Sequence, residues 1–234
     1  MRSPVLEQAR CSFDEAGRPH AEVYGDIYHS GGGALGQARH VFLAGNQLPA
    51  RWRGCRHFTV LETGFGFGIG FLAAWAAWRS DPGRSDFLHF ASIEKHPPRT
   101  EDLRRVHALE PELHELAVQL QRQWPLPLAG VHRASFDDGR VTLTLSLGDA
   151  EVALGALELR ADAIFLDGFA PSRNADMWSP AVIRALARKA APRATVATWC
   201  AAGSVRRALS DTGFEVETRP GFGDKREMTV GRFA

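Results

Sequence analysis

The chain is poor in cysteine, with three in 234 residues: Cys11, Cys55 and Cys200. They are odd in number and far apart, and no CxxC or Cys/His cluster exists. Neither a disulfide framework nor a zinc site is supported. The histidines include no HExxH or HxxxH pair, so no metal is expected. Charge of one sign is also lacking: 28 Lys+Arg face 27 Asp+Glu. Whole-chain electrostatics therefore gives no strong pull towards nucleic acid, and any RNA contact has to use a local basic patch. The uncharged run Gly64 to Trp78 is short and glycine-rich at its start. A membrane span needs ~20 apolar residues, so this run reads as a loop entering a buried helix. The N-terminus MRSPVLEQAR has no apolar region of the signal-peptide kind. No repeat, low-complexity tract or interdomain linker is present. Together these absences point to a reducing, cytoplasmic setting.

What is there fits one large α/β domain. Residues 1–57 read as an N-terminal extension packed on the core, with a short strand at Ala21-Glu22-Val23-Tyr24 and a break at Gly31-Gly32-Gly33. Residues 58–234 read as the main domain. Compact β-rich runs at Phe58–Glu62, Phe87–Glu94, Val141–Leu147, Ala161–Leu166 and Thr195–Trp199 alternate with helical patterns. Those patterns cover Phe71–Trp78, Arg99–Gln123, Pro180–Ala190 and Gly203–Thr212. Phe214–Thr218 and Glu227–Arg232 are expected to pair as a terminal antiparallel hairpin. The alternation predicts a doubly wound, mostly parallel sheet.

The segment Leu61-Glu62-Thr63-Gly64-Phe65-Gly66-Phe67-Gly68 follows a strand and precedes a helix. Glycine lets the backbone turn tightly and approach a ligand closely. A GxGxxG dinucleotide fingerprint fails, because its third glycine falls on Ile69 or on Phe71. A P-loop fails because no Gly-Lys-Ser/Thr follows. What fits is acid-x-Gly-x-Gly-x-Gly, the turn with which methyltransferases hold the amino-acid end of S-adenosylmethionine. Glu62, Gly64, Phe65, Gly66 and Gly68 are the expected contacts.

Three further carboxylates close strands. Glu94, followed by Lys95, ends the next strand at a spacing suited to a ribose-binding acid. Asp149, after Gly148, is placed to face an adenine amino group. Asp167 closes Ala163-Ile164-Phe165-Leu166, where a reacting amine must also sit. An attacking amine must be neutral and gains positive charge as the methyl arrives, so a carboxylate beside it can take the proton. Asp167 is the candidate catalytic residue.

The stretch Phe165 to Trp178 closely resembles the signature DGFAPxxNPDMW of the tRNA 5-methylaminomethyl-2-thiouridine methyltransferases. Phe42–Leu48 resembles that family's FLxGNQL, Glu62–Leu72 its ESGFGTGLNFL, and Glu94–Pro97 its EKxP. Gln123–Pro127 is similar to its QWP segment, Ala202–Arg207 to AGxVRR, and Gly221–Met228 to GFGxKREM. The resemblance spans roughly residues 22–232, in order. It implies a Rossmann-like class I methyltransferase fold. It also implies methylation of the amine of 5-aminomethyl-2-thiouridine at the wobble position, in the tRNA anticodon loop. Asp167 matches the family's proposed catalytic aspartate, and Glu62, Gly64, Gly66, Glu94 and Asp149 fall on its cofactor positions. Departures are Phe67 for a Thr, Gly70 for an Asn, Ala175 for a Pro and Asp224 for a basic residue. In many bacteria the family's domain is fused to an FAD-dependent oxidase that prepares the amine. With no second glycine fingerprint before Ala234, the chain reads as either a stand-alone enzyme or an excised domain.

A splayed wobble base stacks on aromatics, for which Phe169, Trp178 and Phe222 are candidates. Pro171, Asn174 and Met177 lie in the same signature stretch and join the expected substrate contacts. Arg173, Arg206, Arg207, Arg219, Lys225 and Arg226 are candidates for the phosphate patch. Two other classes share parts of this pattern. An N-methyltransferase of a small amine needs the turn and Asp167 but not the basic set. A non-catalytic RNA-binding module needs no cofactor.

Overall fold

A computed structural model describes residues 4–29 and 32–234. Gly31, the first residue of the expected glycine break, and the first three residues of the N-terminus lie outside the described residues. The chain opens with a small antiparallel sheet of β1 (Cys11–Phe13), β2 (Pro19–Ala21) and β3 (Asp26–Ile27). The strand expected over Ala21–Tyr24 is displaced. The pairing ends at Ala21, and a turn closed by Gly25 N–H to Ala21 O takes over. Then come α1 (Ala34–Gln37) and a π-helical stretch, Ala38–Ala44.

The main sheet is built from β4 (His57–Thr63), β5 (Phe87–Glu94), β6 (Gly130–Phe136), β7 (Val141–Leu147), β8 (Ala161–Leu166), β9 (Ala190–Thr198), β10 (Phe214–Pro220) and β11 (Glu227–Phe233). Its order is β10-β11-β9-β8-β4-β5-β7-β6. The strands β7, β5, β4, β8 and β9 run parallel; β11, β10 and β6 add antiparallel edges. The expected terminal hairpin is β10–β11, with Phe214 opposite Phe233.

The central strands are buried on both faces because helices cover both. Phe58, Val60, Phe90 and Phe165 face one layer. It contains α2 (Ile69–Ser80), α3 (Thr100–His107), α4 (His114–Arg122) and residues 34–52. Leu61, Ala91, Ile93, Ile164 and Leu166 face the other layer, with α5 (Ala150–Ala156), α6 (Pro180–Lys189) and α7 (Gly203–Ser210). Adjacent strand residues divide between the two layers as a period of two requires. In α2, Phe71, Leu72, Ala73, Ala74, Trp75 and Trp78 are all buried, so that helix is apolar nearly all round.

The single helix expected over Arg99–Gln123 is two helices. α3 stops after His107, Pro111 opens a short 3-10 turn, and α4 starts at His114. Proline lacks the N–H that a continuous helix needs and disfavours helical backbone before it. The edge strand β6 was not expected. Its residues are mostly solvent-facing, so the apolar alternation that marks β7 is missing there. No helix among the described residues is long and apolar enough to cross a membrane.

Candidate active site

In a doubly wound sheet the crevice opens where the chain reverses its winding, beyond the strand carboxyl ends. Here that point lies between β4 and β8. Four neighbouring strands, in sheet order β8, β4, β5 and β7, each present an acid at that end. Asp167 follows β8, Glu62 is the penultimate residue of β4, Glu94 ends β5, and Asp149 lies just past β7.

The turn after β4 is left-handed at Gly64 (φ 69°), Gly66 (φ 53°) and Gly68 (φ 74°), which strains any other residue. A Cβ on Gly64 would stand 3.3 Å from Asp167 O, so the turn also needs glycine for its close approach to the β8 loop. The end of β5 holds the turn. Phe65 N–H donates to Ile93 O at 3.0 Å, and Gly66 N–H donates to Glu94 Oε2 at 2.8 Å. Glu94 Oε1 accepts from His96 N–H at 2.8 Å. Each Glu94 oxygen therefore keeps a lone pair for a ligand.

Glu62 is 2% exposed. Burial drives its carboxyl well above the usual carboxylate range, against a 2.6 Å hydrogen bond donated by Ser92 Oγ. Burial also raises Glu94, against its backbone donors. Asp167 is pushed up to about 7 by burial, while the Gly168 N–H and the Trp199 indole N–H pull the other way. Asp149 caps α5, accepting from Glu151 N–H at 3.1 Å, and stands 3.5 Å from Lys95 Nζ.

Two cavities meet at this edge and share Gly64, Glu94, Gly168 and Phe169. The first, of about 340 Å³, carries Asp26, Glu62, Glu94, Asp167 and Asp224 against one lysine, Lys225. The second, of about 330 Å³, carries Lys95 and Asp149 and is flanked by Asn174 and Met177. Five carboxyl groups around one lysine, with Glu62, Glu94 and Asp167 desolvated, suit a cationic guest, whose charge favours their ionised form. Bare glycine backbone beside them admits its amino-acid end. S-adenosylmethionine, with a sulfonium and an ammonium, fits this donor set.

Of the expected cofactor positions, Glu62, Gly64, Phe65, Gly66, Glu94 and Asp167 line the first cavity, and Lys95 and Asp149 the second. Gly68 caps α2 just behind, packed under the Phe65 ring. Of the expected substrate residues, Phe169 and Lys225 reach the first cavity. Asn174 and Met177 fall instead on the Asp149 side. Trp178 is 6% exposed and donates its indole N–H to Phe169 O at 2.7 Å. It supports the loop from beneath rather than offering a stacking face. Phe222 lies over the bare Cα atoms of Gly32 and Gly36 and docks its loop on the N-terminal segment. Pro171, Arg173, Arg206 and Arg226 line neither cavity.

Sequence reasoning missed five residues. Tyr24 stacks on Phe169 (4.6 Å, 29°), and Tyr28 meets both Phe169 and Phe67. Asp26 Oδ2 accepts from Ala170 N–H at 2.9 Å, clamping the small sheet onto the signature loop. His29 lines the first cavity with a buried Nε2 that has no hydrogen-bond partner among the described residues, and burial lowers it to about 4. Trp199 lies just beyond β9. One signal was available: Tyr24 and Tyr28 are the only two tyrosines in the chain.

The family model for S-adenosyl-L-methionine-dependent methyltransferases matches residues 111–234. Similar curated proteins include the tRNA 5-methylaminomethyl-2-thiouridine biosynthesis bifunctional protein MnmC of Azoarcus sp., 57% identical over 97% of this chain and 36% of that protein. The protein of the same name from Cupriavidus necator is 56% identical over 98% of this chain and 35% of its own length. The chain thus spans about a third of the length of these relatives. Among solved structures, MNMC2 from Aquifex aeolicus superposes with a TM-score of 0.74 at 24% identity, covering 98% of this chain and 72% of that one. The amino pentose methyltransferase CalS10 from Micromonospora echinaspora gives 0.50 at 12% identity, over 87% and 93% of the two chains. Both likenesses speak for the fold.

Proposed function

The chain belongs to the S-adenosyl-L-methionine-dependent methyltransferases, and on that premise we propose that it methylates the amine of 5-aminomethyl-2-thiouridine at the tRNA wobble position. The names of its relatives support the substrate. The observation that carries the chemistry is Asp167, a desolvated carboxylate on the wall of the cavity that also holds Glu62, Glu94 and the glycine turn.

When bound, S-adenosylmethionine supplies a methyl group made electrophilic by its sulfonium. Glu62, Gly64, Gly66 and Glu94 hold the amino-acid and ribose portions, and Lys95 and Asp149 border the adenine side. Phe169, which lines both cavities and stacks on Tyr24, is the aromatic on which a flipped base would stack. Asp167 removes one proton from the arriving ammonium, which frees the nitrogen lone pair. Its own acid form then returns that proton to solvent. The secondary amine keeps its positive charge beside the carboxylates that favour it. The enzyme works in the cytoplasm, after an FAD-dependent oxidase activity that prepares the amine.

Nucleoside mass analysis tests this reading. tRNA carrying the unmethylated amine, incubated with the protein and S-adenosylmethionine, should gain one methyl at the wobble nucleoside. An unchanged nucleoside overturns the substrate. Methylation of the free nucleoside as fast as of tRNA would favour a small-amine enzyme. Calorimetry showing no cofactor binding would leave only a non-catalytic RNA-binding role.

A further inference from the structure

We infer that Trp199 is a positioning residue for Asp167: its indole N–H, with the Gly168 N–H, occupies Oδ1 and thereby reserves Oδ2 for the substrate amine. This rests on the reading of Asp167 as the base. The backbone of Asp167 is pinned to β4, since Thr63 Oγ1 donates to its carbonyl at 2.6 Å and accepts from its N–H at 3.0 Å. On the side chain, Oδ1 accepts from Gly168 N–H at 2.8 Å and from Trp199 Nε1 at 3.0 Å. No described residue donates to Oδ2. Two donors on one oxygen stabilise negative charge there and orient the carboxylate, so the free lone pairs of Oδ2 are the ones that meet a proton.

Trp199 is itself held. Its ring meets Trp178 edge-on (6.1 Å, 83°), and Lys225 Nζ lies 4.9 Å from its centroid. A cation on the indole face draws π density and strengthens the N–H as a donor. The hairpin loop between β10 and β11 therefore acts on Asp167 through Trp199. Other titratable groups also face this cavity. They are Glu62 on β4, Glu94 on β5, Asp26 on β3, Tyr28 and His29 just after it, and Asp224 on the hairpin loop. None of these is hydrogen-bonded to the Asp167 carboxylate among the described residues. Among the described residues, Trp199 is the one side chain that contacts it through a hydrogen bond.

The test is a direct titration of the Asp167 carboxyl by carbon NMR in cofactor-free protein with labelled aspartate. The signal is assigned by its loss in Asp167→Asn. In Trp199→Phe the titration midpoint should move up by about one pH unit, the scale of one lost charge-assisted hydrogen bond. Replacing the Trp199 side chain by its isosteric benzothienyl analogue keeps the ring and the Lys225 contact and removes only the N–H. It should move the midpoint equally. An unmoved midpoint in either variant overturns the assignment to the N–H. With cofactor and tRNA, the acid limb of turnover should shift the same way in Trp199→Phe. If Asp167→Asn keeps its turnover, the base reading fails. If Asp167→Asn is inactive and Trp199→Phe leaves the acid limb in place, only the role of Trp199 fails.

Discussion

The backbone N–H of Gly66 donates to Glu94 Oε2 at 2.8 Å, so the acid ending one strand holds the glycine turn that follows its neighbour. Glu94→Gln keeps the shape but turns one acceptor into a donor facing a backbone N–H and removes the charge. Hydrogen bonds to charged groups contribute about 1.5–3 kcal/mol. Cofactor affinity measured by calorimetry should therefore fall about tenfold or more. Unchanged affinity would remove Glu94 from the site.

Gly70 lies in the first turn of α2, where alanine normally stabilises a helix by about 1 kcal/mol over glycine. Here a Cβ would collide with Glu62 Oε1. Gly70→Ala should lower the melting temperature and weaken cofactor binding. A rise in melting temperature would show that Glu62 yields freely.

Asp167 ties stability to pH. Its folded carboxyl is raised to about 7 from an ordinary 3.8. A raised group favours the folded state below its unfolded value, and that contribution is lost as pH climbs through its folded value. Asp167→Asn removes the cost of charging the site and still accepts from Gly168 and Trp199. The variant should be more stable than wild type at pH 8 by about 2 kcal/mol, and little different at pH 4. It should also lose most turnover. A stability difference independent of pH would contradict the desolvation of Asp167. Wild-type kcat/KM should fall tenfold per unit as pH drops below that midpoint, because the carboxylate form is the competent one.

Asp26 ties the small N-terminal sheet to the signature loop through Ala170 N–H. In Asp26→Ala that amide should exchange with solvent faster, and KM for tRNA should rise as Tyr24 and Phe169 lose their shared placement. Unchanged exchange at Ala170 would dissociate the sheet from the loop.

Only local positive charge is available for RNA. tRNA affinity should fall with salt, and each basic residue that meets a phosphate, tested singly at Lys225, Arg226, Arg173 and Arg206, should reduce the log–log slope by about 0.7–0.9. A flat salt dependence would count against RNA as substrate.

The buried parallel strands were legible from compact β-rich runs, most of them closed by an acid or a glycine, with β7 marked by its alternation of apolar and hydroxyl residues. Ala161–Leu166 and Val141–Leu147 have the same bounds in sequence and structure. The helix break at Pro111 was readable in retrospect from the proline. β6 was not, because an edge strand with mostly exposed residues carries no apolar alternation. The same limit applied to Tyr24, Asp26 and His29. They lie some 140 residues before Phe169 and Ala170, and no local pattern links them.

By itself the sequence determined the α/β winding, the glycine turn and the acids that close the strands. These depend on hydrophobic period, backbone freedom and position at a strand end, all local properties. Only the tertiary structure decided which residues enclose the cavity and which merely support it. Trp178 turned inward, Asn174 and Met177 moved to the Asp149 side, and Trp199 came to rest on Asp167. Burial and hydrogen-bond partners arise when distant segments meet, and those contacts set the charge state of Asp167.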